Sequence, residues 1–336
     1  MIDFRYHLVS IVAVFLALTV GLIIGATALK PKTEQFFDTR SKQEEQRISA
    51  QGAQIRSLGS QLSSDEAAAK ASAPRLLDGL LTGQRAVLVT APGADASTIT
   101  GVTAALRQAG AVVTGQAELQ PSFFDTSAST QSSLTTLAQQ VAPPGVPLVV
   151  PTANAQIFGQ QEAAQVLASA LVTKNGADLP AQQTREIVDQ FRAQGFMNMT
   201  YEPGSAALSQ ATLAVVIIPA TQPSGDGASP ANLALLAVAQ QLEASSLGVV
   251  MAGSLPGSGT GSAIDELING GTRIQLSSVD DADSEFGQIQ VAQALSLWLT
   301  THKPTAFGVL AGAVPSPIPT PAPTSGRTSV KNKSGG

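Results

Sequence analysis

Cysteine is absent from the 336 residues, and histidine occurs only at positions 7 and 302. The first absence excludes disulfide cross-links and thiolate metal sites, and it fits a cytosolic domain and a disulfide-free extracytoplasmic one equally. The second leaves almost no material for a histidine base. His7 precedes the first apolar run, and His302 stands beside Lys303 at the expected end of a helix, where contact with the helix dipole is its ordinary use. Neither an HExxH run nor a Cys/His cluster occurs. Aromatic residues make up 4% of the chain and charged residues 13%, against 43% apolar, so small aliphatic side chains must form the core. The net charge of −5 hides an asymmetry: residues 30–75 carry eight basic and six acidic side chains, and residues 84–310 carry seven and sixteen. No basic surface is broad enough to mark a nucleic-acid partner. An acidic body tolerates cations and repels anionic polymers.

What is present begins with 22 uncharged residues, Leu8 to Leu29. About 20 apolar residues at about 1.5 Å each span a bilayer core of about 30 Å. The run contains only Ser10, Thr19 and Thr27 as polar side chains, and their hydroxyls can bond back to helix carbonyls. We expect a transmembrane anchor at 8–29 behind a short N-terminus, 1–7. The alternative is a cleaved signal peptide with Ala26-Thr27-Ala28 as its site, but signal cores usually span about 7–15 residues and Asp3 beside Arg5 weakens the basic leader. The flanking charges are nearly balanced, so they do not set orientation. Gly21 and Gly25 form a GxxxG pair, either a close helix–helix contact or ordinary tolerated glycines.

Residues 30–75 are rich in charge and glutamine. Ile48, Ile55 and Leu62 recur every seven residues, and Phe37 and Leu58 fit the companion position of that heptad. Glu44, Gln51 and Asp65 interrupt the seam, while Gly52 and Gly59 weaken a helix by about 1 kcal/mol each relative to alanine. The pattern predicts a helical stalk with a thin coiled-coil seam joining copies of the chain, or else a solvated helix on its own domain. Pro74 is expected to break it.

From 84 to 310 the chain reads as one α/β domain, a Rossmann-like, mainly parallel sheet flanked by helices. Arg85–Thr90 is a short apolar strand, Asp95 or Ser97 caps a helix running to Gln108, and Gly110 precedes a strand beginning Ala111-Val112-Val113. Leu213–Ile218, a helix over Ala231–Glu243 and a strand Val249–Met251 repeat that βαβ plan, with Pro219 where the first unit has Pro92. Between the units we place helices at 127–141, 161–173 and 184–194, a short apolar run at 147–151 and a strand at 196–201. A short helix at 264–268, a final strand at 273–277 and a helix at about 284–300 complete the domain. The tail, 313–336, has prolines at 315, 317, 319, 321 and 323, then turns basic, and reads as disordered or polyproline II.

A doubly wound sheet invites a nucleotide beyond the strand ends at the switch point. Thr90-Ala-Pro-Gly93-Ala-Asp95 offers one glycine where a dinucleotide fingerprint needs three. The glycine-rich Gly253–Ser262 can offer amides to an anion, but it lacks a P-loop lysine and reads rather as a flexible loop. Asp280, Asp281 and Asp283 can bind a hard cation, although such a run more commonly supplies the N-cap and first-turn charge of the next helix. Met197 and Met199 share one strand face; thioethers suit Cu(I), yet methionines more often fill cores. No catalytic constellation emerges, and no cofactor is expected.

Met1-Ile-Asp-Phe-Arg-Tyr-His-Leu-Val-Ser-Ile-Val-Ala-Val-Phe-Leu-Ala-Leu18, with Gly21 and Gly25, resembles the start of an actinobacterial copper transporter family, and Ser277–Asp283 with Gly287 resembles its C-terminal signature. The resemblance covers roughly residues 1–312. It implies a channel-forming envelope protein of copper efflux, also described in the outer membrane, with copper as transported ion and no ligand motif to carry over. Together with the proline-rich tail it favours the N-terminus inside and the bulk outside. Corynebacterial members imply an alternative: a scaffold for cell separation, working with a neighbouring membrane protein and a peptidoglycan hydrolase. One apolar helix cannot enclose water, so a pore needs an oligomer. Gly21, Gly25, Ile48, Ile55, Leu58 and Leu62 are the expected contacts of a homodimer or larger homo-oligomer.

Overall fold

The computed structural model describes residues 4–146, 148, 155–174, 176, 178–201, 209–222, 228–270 and 274–314, the side chains of 4, 5, 26–41, 155, 228 and 229 excepted. The expected run at 147–151, save Leu148, and the proline tail from 315 lie outside the described residues. The chain divides into two units, Met1–Asp65 and Glu66–Gly336.

The first unit is helical. Its helix, α1 (Phe4–Leu77), carries the apolar stretch Tyr6–Gly25, 20 residues, long and apolar enough to cross a membrane. Within it Thr19 Oγ1 donates to the Phe15 carbonyl, the back-bond expected of a hydroxyl in an apolar helix. Further on, Ile48, Ile55, Leu58 and Leu62 are all exposed.

In the second unit α1 runs on through Pro74, where a break was expected, to Leu77. Proline removes one helix hydrogen bond. Here Ala73 and Leu77 are buried in the core below the sheet, with Ala69 and Leu76 packed against it, and that burial outweighs the missing bond. The chain then follows β1 (Arg85–Thr90), α2 (Ala96–Gln108), β2 (Val112–Leu119), α3 (Ala128–Val141), α4 (Phe158–Leu171), α5 (Ala181–Ala193) and β3 (Met197–Tyr201). Next come β4 (Leu213–Ile217), α6 (Ala228–Ser245), β5 (Gly248–Ala252), α7 (Ala263–Asn269), β6 (Ser277–Val279), α8 (Glu285–Thr301) and β7 (Ala306–Phe307).

The seven strands form one sheet in the order β3-β2-β1-β4-β5-β6-β7. Every neighbouring pair is parallel except β2–β3. Both βαβ units expected from the sequence are present. The central strands β4 and β5 are buried at every residue, as continuous apolar runs covered on two faces must be. Alternate residues feed two cores: Val87, Val89, Val216 and Met251 face α4, α5 and α6, whereas Leu88, Val215 and Val250 face α2, α8 and the end of α1. The strand expected at 273–277 is displaced to Ser277–Val279, and β7 follows beyond it. Ile274 and Leu276 suggested the earlier position, but the residues that pair are Ser277 and Ser278, both buried.

Candidate functional site

The connections of β1 and β4 leave in opposite directions across the sheet, to β2 and to β5, and the two strands are neighbours. A crevice therefore opens at their carboxyl ends. Ala91 N–H donates to the Ile217 carbonyl and Ala220 N–H to the Gly93 carbonyl, both at 2.9 Å, so the two exit turns are stitched together. The crevice is a cleft of about 200 Å3 lined by Ala91, Pro92, Pro121, Phe124, Pro219, Ala231, Asn232 and Leu235. It is apolar. Asn232 turns its amide away to the Gly261 carbonyl at 2.8 Å. The sequence signalled Pro92 and Pro219, each following a strand. Pro121, Phe124 and Leu235 carry no local signal, because only the topology brings them there.

In a nucleotide-binding sheet of this order, phosphate would sit on the N-terminus of the first crossover helix. Here that position is taken. Asp95 Oδ2 accepts from Thr98 N–H at 2.8 Å and from the Ser97 and Thr98 hydroxyls. The Ser97 hydroxyl first, then the Thr98 amide, hold this carboxyl below its usual range, so it is ionised and repels an anion. α3 begins in the same way: Ser127 caps it while Asp125 accepts from the Thr130 hydroxyl and the Ser127 amide, which lower its pKa. The glycine-rich loop is not an anion cradle either. The N–H groups of Gly253, Ser258, Gly259, Gly261 and Ser262 all have acceptors within the protein, and Gly253, Ser254, Gly257 and Ser258 are buried. The flexible loop expected there is a packed one, pressed against the Pro219 carbonyl at Gly257.

The three aspartates are not gathered into one centre. Asp280 is fully buried and accepts from Val309 N–H at 2.7 Å and Leu310 N–H at 3.0 Å, fastening the turn after β7. Asp283 is exposed. The expected cap role falls to Ser284, which accepts from Gly287 N–H at 2.8 Å, with Glu285 as the acid of the first turn. Among the described residues no group of three or more His, Asp or Glu is placed to hold a metal ion. Met197 and Met199 do share a face of β3, opposite Leu119 and Ala117, but both are buried in the upper core.

Asp281 carries an electrostatic cost. Burial first, then the charge of Asp280, push its carboxyl above the ordinary carboxylate range, and its Oδ1 is buried without a hydrogen bond. A raised folded-state pKa contributes stability below the unfolded value, and that contribution is lost as pH rises through the folded one. Asp281→Asn, uncharged throughout, should therefore gain stability relative to wild type as pH rises from about 4 to about 7. Urea unfolding across that range checks this; a constant difference would refute the assignment.

A wider groove of about 780 Å3 lies among the last turns of α1, α2 and α8. It is rimmed by the Lys70–Glu285 ion pair at 3.2 Å, Asp283 and Gln288, over small side chains such as Ala96 and Ala104. Its charges are paired or exposed, and nothing in it converges on a reacting atom.

An N-terminal helix long and apolar enough to cross a membrane, followed by a mostly parallel α/β unit, defines the class of this chain as an α/β protein with one candidate membrane helix among the described residues. The family model described as copper transport outer membrane protein, MctB, matches residues 1–317, and the chain belongs to that family. It is 25% identical over 300 residues to the copper transporter MctB of Mycobacterium tuberculosis and to that of Mycobacterium bovis, which covers 88% of this chain and 92% of each relative. The family is named for copper transport and not for an enzymatic reaction.

Proposed function

We propose that this chain is a single-pass membrane protein of copper efflux, with residues 8–29 crossing the bilayer, residues 1–7 inside and the α/β unit outside. The observation that carries the reading is the family match over residues 1–317 together with the exposed apolar stretch at its start. Copper is cargo here. A water-filled path needs several copies, because one helix cannot enclose it. The exposed row Ile48, Ile55, Leu58 and Leu62 supports parallel pairing of stalks, with Gly21 and Gly25 allowing close approach in the membrane.

The burial of Met197 and Met199 supports packing, and not transport, as their part. Deletion of the gene should raise cellular copper and copper sensitivity, and wild type should restore both. So should Met197→Leu/Met199→Leu, because volume-conserving swaps cost under about 1.5 kcal/mol each. Unchanged copper content on deletion would sink the efflux reading. Failure of the folded double variant alone would instead make the thioethers a transport site.

A further inference from the structure

The cleft at the ends of β1 and β4 is smaller than the roughly 300–1,000 Å3 of small-molecule sites. Its walls of proline and one phenylalanine suit short apolar peptide groups. The sheet register shows which peptide is at hand. Thr90, Ile217, Ala252, Val279 and Phe307 stand level across five strands, and Phe307 bridges Val314, the last described residue. The chain thus leaves the sheet at its carboxyl edge, four strand spacings from Ile217. At about 4.8 Å each these amount to about 19 Å.

Beyond Val314 come prolines at 315, 317, 319, 321 and 323. Polyproline II advances about 3.1 Å per residue, so the seven residues to Pro321 cover about 22 Å. Two exposed apolar side chains follow the carboxyl ends of strands on this side of the cleft, Val309 after β7 and Leu255 after β5. Alternating proline also suits a site without polar partners. Every second residue has no N–H to strip of water, and proline-rich peptides in general bind as extended chains that lose little entropy on docking.

The geometry points to self-docking: residues 315–323 of the same chain cross the carboxyl edge of the sheet and seat Pro319–Pro323 against Pro92, Phe124 and Pro219. The tether supplies a high effective concentration, so weak contacts suffice. The inference stands independently of the copper reading.

The absence of native cysteine gives a clean test on the full chain in detergent. Ala231→Cys paired with Pro321→Cys should form an intrachain disulfide under mild oxidation at least tenfold faster than Val112→Cys paired with Pro321→Cys, since Val112 is exposed at the start of β2, on the opposite edge. Pro92→Cys with Pro321→Cys repeats the measurement on the other wall, in case the first variant folds poorly. Equal rates in the three pairs would overturn the docking. A disulfide formed between two chains, and not within one, would overturn it too, by assigning the cleft to a neighbour's tail.

Discussion

Replacing Asp280 by alanine should lower the stability of the α/β unit by about 3 kcal/mol, because hydrogen bonds to a charged acceptor contribute about 1.5–3 kcal/mol and two are lost. Both Val309 N–H and Leu310 N–H would lose their acceptor in a region where Asp280 itself has no solvent exposure. For a unit of this size each kcal/mol corresponds to about 2–4 °C, so the melting temperature should fall by about 6–12 °C. Asp280→Asn keeps one acceptor oxygen and should lose roughly half as much. Circular dichroism melts decide the matter, and an unchanged midpoint for Asp280→Ala would show that the carboxylate holds nothing. The same contact constrains Gly308, where a Cβ would meet the Asp280 carboxylate.

The second large effect concerns the anchor. Tyr6–Gly25 contains twelve Leu, Ile, Val and Phe residues. On a membrane-insertion scale they contribute together roughly 4–7 kcal/mol, before the opposing Ser, Thr, Gly and His are counted. An arginine at the helix centre costs about 2.5–3.5 kcal/mol. Phe15→Arg with Leu16→Arg therefore cancels the whole driving force, whereas either alone leaves part of it. The double variant should move from the membrane pellet to the soluble fraction after an alkaline wash, with the single variants between. Retention of the double variant in the membrane would mean that something other than this helix holds the chain there.

How legible these features were depends on how local their causes are. β1, α2 and the start of β2 could be read within a residue or two, because an apolar run, an Asp95 cap and Gly110 all act within the segment they delimit. α8 was legible for the same reason. β7 was not: two residues carry no periodicity, and its fastening acid lies 29 and 30 residues from the amides it holds, so only the folded chain reveals it. The acidic run misled for a related reason, since three aspartates in sequence look like one feature. Folding turns Asp280 inward to a turn after β7, leaves Asp281 partly buried and Asp283 in water. The cleft was half legible. The two prolines after strands were visible, but its outer wall comes from the turn before α3 and from α6, which meet only through the strand order. Of the stalk, the structure shows a helix on which Ile48, Ile55, Leu58 and Leu62 are exposed.

The shortness of β7 has a consequence for chains crowded side by side on one surface. A sheet border is a template for a neighbour's backbone, and long flat borders invite strand-to-strand aggregation. This border is two residues long, Ala306 and Phe307, and Val314 already covers it, bridging Phe307 and donating its N–H to the Ala306 carbonyl at 2.8 Å. A neighbouring chain thus finds no open strand edge there, and loss of the Asp280 clasp should show itself as clumping as well as a lower melting point.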